Sequence, residues 1–160
     1  MKIVSPLYRF QDVAVLKTIS LLQIQGKIRT KRLSSNTTYG AYLIFKISDS
    51  SFGLHSIPSE ISLEVGKHIY TNTAYVCRND SQKQKMESIF YSHRVEMLRK
   101  RVNKGDGKEP KERKDGWMEI EVGEFFSGEG DEEVRMSLME IKGGHLKGGL
   151  IIEGIEVRPK

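Results

Sequence analysis

The chain has almost no cysteine, few histidines and no long apolar run, and each shortage closes off a class of function. Cys77 is the only cysteine among 160 residues, so no disulfide can form within the chain. Residues 1–6 hold no apolar run of export-signal length, and nowhere do 18 apolar residues follow one another. These features lead us to expect a reducing compartment, the cytoplasm with the nucleus as a second location, and no membrane partner. The four histidines, His55, His68, His93 and His145, never stand four apart and never frame an H-E-x-x-H pattern. No metal site, cofactor or catalytic residue is expected, and the chain is read as non-enzymatic. A Cys77 nucleophile with a histidine base stays open as an alternative, with an inert buried thiol at a strand end preferred.

Charge is present but uneven. The net charge of +5 is matched by residues 94–114 alone, where nine Lys and Arg side chains face four acids. Outside that segment the chain is close to neutral. Clusters such as Arg99-Lys100-Arg101 fit a nuclear-import signal, yet interspersed acids and the lack of interleaved aromatics favour a solvated loop. Nucleic acid is not an expected partner.

Most of the remaining chain alternates with a period of two. Leu22, Ile24, Gly26 and Ile28 alternate with Leu21, Gln23, Gln25 and Lys27, as in a half-buried strand. After a turn at Ser34-Ser35-Asn36-Thr37, residues Tyr39, Ala41, Leu43, Phe45 and Ile47 line one face while Tyr42 and Ile44 line the other. Apolar on both faces, that strand is expected at a sheet centre. Strands are also predicted around Ile61–Val65, Ile69–Cys77, Met118–Val122, Val134–Leu138 and Leu150–Ile155. Two segments differ. Phe10, Val13, Ala14 and Leu16 have partial helical spacing, and residues 79–115 form a long polar basic loop with a helical turn expected between Gln84 and Arg101. The glycines of 143–149 lack the order of a phosphate-binding loop and are read as a hairpin turn, with Gly123 to Gly130 as another connection. Short strands with glycine-rich turns predict one all-β domain over residues 1–160, an antiparallel β-sandwich or jelly roll.

Sugar recognition needs an apolar face for a pyranose and polar groups for its hydroxyls. Trp117, Phe125 and Phe126 supply aromatics, and Glu119, Glu121, Glu124, Glu133 and Glu140 supply acids. Trp117 and one of the two phenylalanines are assigned to the core. Glu140 continues the alternation of Val134, Met136 and Leu138 on their apolar side, so it is expected at the open end of the sandwich or hydrogen-bonded.

Four separated motifs resemble one family. Residues 115–126, D-G-W-M-E-I-E-V-G-E-F-F, and residues 140–160, E-I-K-G-G-H-L-K-G-G-L-I-I-E-G-I-E-V-R-P-K, look like the later motifs of plant phloem-lectin (Nictaba-type, phloem protein two-like) domains. Residues 24–28, I-Q-G-K-I, and 33–46, L-S-S-N-T-T-Y-G-A-Y-L-I-F-K, are similar to earlier ones. The match runs from about residue 9 to 160, interrupted by the basic loop. Relative to the family pattern, the chain is expected to be N-terminally short, without an F-box or the upstream tryptophan segment. Leu21 and Leu146 stand where relatives often have tryptophan. The resemblance implies a β-sandwich lectin for N-acetylglucosamine oligosaccharides, N-glycans or glycoproteins, with a homodimer as one arrangement. It carries sugar contact over to Phe126, Glu133 and Glu140. The alternative is a protein-interaction domain of lectin descent that has lost sugar binding.

Overall fold

The alternating residues become ten strands among the residues that the computed structural model describes, namely 4–5, 12–55, 57–77 and 107–160. They are β1 (Val4–Ser5), β2 (Ala14–Leu16), β3 (Gln23–Arg29), β4 (Thr38–Phe52), β5 (Pro58–Val65), β6 (His68–Tyr75), β7 (Lys111–Glu112), β8 (Met118–Phe126), β9 (Glu133–Glu140) and β10 (Gly148–Pro159). They form two sheets. One runs β1-β10-β4-β8-β7, with β2 also on β10, and the other runs β3-β9-β5-β6. Every pairing is antiparallel except β1 with β10.

The doubly apolar strand β4 lies between β10 and β8, as its sequence predicts. Its inward side chains Tyr39, Ala41, Leu43 and Phe45 meet Ile120, Phe125, Leu150 and Ile152 of the same sheet. Ile24, Ile28, Ile61, Leu63, Val134, Met136 and Leu138 close over them from the other sheet. Tyr39 and Phe125 stack with ring centroids 5.9 Å apart, and the Tyr39 hydroxyl accepts the Ser34 N–H at 2.9 Å. That bond satisfies the one polar atom the ring carries inward.

Several connections differ from expectation. Ala14–Leu16 is a strand, because the edge of β10 offers partners for its backbone that a lone helical turn would lack. Phe10 lies outside the described residues. So does the helical turn expected between Gln84 and Arg101. Within the expected loop, Lys108 bridges Ala74, and Lys111 and Glu112 pair with Glu119 and Met118. Strand β8 passes through Gly123 to Phe126, absorbing an irregularity opposite Ala41 and Tyr42, so that connection starts only at Ser127. The glycine run is not a hairpin. It crosses from β9 in one sheet to β10 in the other.

Gly149 sits where that crossing enters β10, at φ +88, with the Ser51 backbone 2.5 Å from where a Cβ would stand. Both the dihedral and the space require glycine there. Gly149→Ala is expected to destabilise by about 2–4 kcal/mol, combining left-handed strain with overlap. Gly128→Ala has a similar φ of +62 but open space around it, and should cost only about 1 kcal/mol. Equal losses in urea unfolding would contradict this separation of strain from clash.

Candidate functional site

Strand β9 carries two of the three residues expected at a sugar site, and its pleat separates them. Val134, Met136 and Leu138 point into the core, and so does Glu140. Glu133, Arg135, Ser137 and Met139 point out. Glu133 and Glu140 are seven residues apart, about 23 Å along a strand. No single sugar ring can touch both.

Glu140 is committed to the interior. Its side chain and that of Lys147 are both 0% exposed, with Nζ 2.8 Å from Oε2. Lys147 also donates to the carbonyls of Ser20 at 2.9 Å and His145 at 2.7 Å, so its ammonium has three acceptors. Oε2 of Glu140 also accepts the Leu22 N–H at 3.0 Å, while Oε1 is buried without a hydrogen bond. The pair stitches the 141–147 crossing to the chain before β3, beside reciprocal backbone bonds between Ile19 and Lys147. Glu140 therefore lies outside any sugar-accessible surface, a correction to its expected role.

Phe126 is 57% exposed, while its neighbour Phe125 fills the core. The split follows from alternation on β8. It places Phe126 on the outer face of the β4-containing sheet, whereas Glu133 faces outward from the other sheet. The expected trio is thus spread over two outer faces and the interior. Nor is Trp117 a core residue: it is half-buried on the surface, with the Lys46 ammonium 4.4 Å from its ring centroid. Around it the acids of the D-G-W-M-E-I-E motif are engaged. Arg158 lies 3.6 Å over the Tyr42 ring and binds Glu119 through two nitrogens at 2.8 and 3.0 Å. Lys160 reaches Glu121 at 2.7 Å and Glu124 at 3.0 Å. Arg113 joins Glu156 at 2.9 Å.

The other outer face is open. Register aligns Gln25, Ser137, Ser62 and Thr71 in one row across β3, β9, β5 and β6. The Ser62 and Ser137 hydroxyls are 2.6 Å apart. The next row holds Lys27, Arg135 and Glu64, and beyond it Glu133 pairs with Arg29. In the opposite direction come Gln23, Met139 and Glu60, then exposed Leu21 and Ile141. The polar rows floor a hollow of about 390 Å³ that reaches Glu133. Its donors and acceptors suit a polyhydroxylated ligand, and the apolar end offers a surface for ring carbons or an acetyl methyl. The row was missed in the sequence because serine and glutamine on a strand's polar side look like ordinary solvated positions.

Cys77 is half-buried rather than buried, with Sγ 3.4 Å from His55 Nδ1. Burial pushes the thiol pKa up, which holds it as a thiol rather than a nucleophilic thiolate. Among the described residues no group of three or more His, Cys, Asp or Glu is arranged to hold a metal, and no helix is long and apolar enough to cross a membrane.

The chain is thus a two-sheet sandwich with one outer face laced by ion pairs and the other open and polar. Its family is clear from comparison. The family model described as phloem protein 2 matches residues 2–159, and the chain belongs to that lectin-like family. It is 51% identical over 158 residues to F-box protein PP2-B13 of Arabidopsis thaliana, covering 94% of this chain and 55% of that protein. F-box protein VBF and F-box protein PP2-B15 of the same plant are 49% and 47% identical over 158 residues, with 56% and 55% of their lengths covered. The chain spans about half the length of these curated relatives.

Two tests follow. Lys147→Met leaves Glu140 buried without its cation and is expected to cost about 3–5 kcal/mol, whereas adding Glu140→Leu should recover most of the loss. A near-neutral single variant in denaturant unfolding would contradict the buried pair. The second concerns acid. Hydrogen bonds hold four carboxyls below their ordinary range: Asp115 from the Trp117 N–H, Glu121 from Lys160, Asp131 from Arg29 and Glu133 from Arg135. The unfolded chain then takes up protons first as pH falls. Their contribution is complete above the ordinary carboxylate range and lost as pH drops from about 5 through the lower folded values. Melting temperature should be flat from pH 6 to 7.5 and fall below pH 5; a rise on acidification would overturn this.

Proposed function

We propose that this domain binds N-acetylglucosamine oligomers or N-glycan cores without transforming them, on the outer face of the β3-β9-β5-β6 sheet. The observation that carries the reading is the row of Gln25, Ser137 and Ser62 in an open hollow, continued by Thr71 on β6, beside the exposed apolar surface of Leu21, Met139 and Ile141. Gln25 offers both an amide donor and an acceptor to an acetamido group, and the serines offer hydroxyls that can turn to either role. Arg135, with its side chain 67% exposed, and Lys27 add donors for ring oxygens. Glu133 stands at the lip, and Phe126 is left out of this subsite. Family membership supports the class of ligand. The F-box names of the relatives support a wider reading, in which such a domain selects glycoprotein clients in the cytoplasm or nucleus.

No aromatic ring floors the hollow, so affinity should be modest. Chitotriose titrated by calorimetry is expected to bind with Kd between about 0.1 and 5 mM. Gln25→Ala combined with Arg135→Ala should weaken binding roughly thirtyfold, at about 1 kcal/mol per lost hydrogen bond, while Phe126→Ala should leave it unchanged. No heat at 10 mM ligand would overturn the sugar reading and leave the protein-interaction alternative. Loss through Phe126→Ala alone would move the site to the opposite face.

A further inference from the structure

Charges on the two outer faces are arranged differently. On the β4-containing sheet, Arg113, Arg158 and Lys160 stand beside Glu156, Glu119 and Glu121, and Lys46 lies over the Trp117 ring. On the open face, register sets Lys27 of β3 directly opposite Arg135 of β9. Their Cβ atoms are then about 5 Å apart on one side of the sheet, where like charges destabilise a strand pair.

The surrounding acids relieve only part of this. Arg135 makes its one hydrogen bond among the described residues from Nε to Glu133, which leaves both terminal nitrogens of the guanidinium. Lys27 is exposed and has no hydrogen bond or ion pair among the described residues. Glu64, opposite Arg135 on β5, acts on it through its charge without forming an ion pair. Two cationic groups with donors to spare thus line the hollow that Gln25, Ser62 and Ser137 floor, and Glu64 stands across from Lys27.

We infer that the hollow prefers a sugar bearing an anionic substituent, a carboxylate, sulfate or phosphate, held between Lys27 and Arg135. The inference deepens the proposed glycan reading and rests on it. An anion between the two cations removes their repulsion and gains charge-assisted hydrogen bonds, which an uncharged oligomer cannot supply. The row of Gln25, Ser137 and Ser62 is displaced from the cationic row by two residues, about 7 Å along the strands. That distance is close to the span from a pyranose ring to a charged group on one of its oxygens. The ring then lies over the hydroxyls and amide, and Glu64 accepts from its free hydroxyls. Lys27 and Arg135 become specificity-determining residues rather than general donors.

Amide-shift titrations of the full chain test it at low salt. The probes are chitotriose, N-acetylglucosamine, its 6-sulfate, N-acetylmuramic acid (the same sugar with a carboxylate) and inorganic sulfate. One or both anionic sugars should bind roughly tenfold more tightly than N-acetylglucosamine, the tighter of the two naming the substituent. In about 0.5 M sodium chloride that advantage should shrink below about twofold. Lys27→Glu should abolish the advantage yet melt no lower than the parent, since it turns a like pair into an opposite one. Lys27→Met should reduce the advantage in part and decides the matter if the glutamate variant misfolds. Chitotriose binding with no gain for either anionic sugar would overturn this inference and leave the sugar reading standing. Silence from every sugar would sink both. Inorganic sulfate binding as tightly as the sulfated sugar, or a lower melting temperature for Lys27→Glu, would also overturn the inference.

Discussion

Glu133 and Glu140 stand an odd number of residues apart on one strand, and the two-residue period of the pleat sends them to opposite faces. The consequences extend through the molecule. A carboxylate turned inward among Val134, Met136 and Leu138 is tolerable only with a cation beside it. Lys147 supplies that cation and is itself satisfied by two carbonyls. The pair fixes the crossing that carries the chain from one sheet to the other, and thereby the entry of β10. Glu133, turned outward, belongs to the lip of a polar hollow instead.

The two outer faces have been given different tasks. On the β4-containing sheet, the acids of β8 meet cations from the chain's C-terminal end, and the lone tryptophan lies beneath a lysine. The stretch from Asp115 to Phe126 therefore contributes largely to locking that face. On the other sheet the same spacing of strands brings together short polar side chains that have few partners of their own. On the proposed sugar reading, a hollow lined this way exchanges water for ligand hydroxyls at little cost, since its groups are exposed or half-exposed before binding. Its weakness is the missing ring platform.

Much of this was legible in the residues, and the failures share a cause. Apolar side chains on both faces of residues 39–47 marked the sheet centre, and the alternation of Leu138 with Glu140 already put that acid on the inner side. The partner of Glu140 was not legible, because Lys147 lies across a glycine-rich crossing whose path depends on which sheet receives it. The same ignorance turned the crossing into a hairpin: glycines announce a turn but not its destination. Ala14–Leu16 resembled a helix only while β10 was out of view. The row from Gln25 to Thr71 draws on four strands scattered over some hundred residues, and only their register makes it a row. Phe125 and Phe126 were one candidate each for core and surface, and the pleat of β8 chose between them.

The most direct test of the proposed sugar site is a map of amide chemical shifts during titration with chitotriose. Shifts centred on Gln25, Ser62, Arg135 and Ser137, with the signals of Glu140 and Lys147 unmoved, are the predicted result. Shifts gathered around Phe126 and Thr38, or at residues 140–147, would contradict the assignment of recognition to the open sheet face.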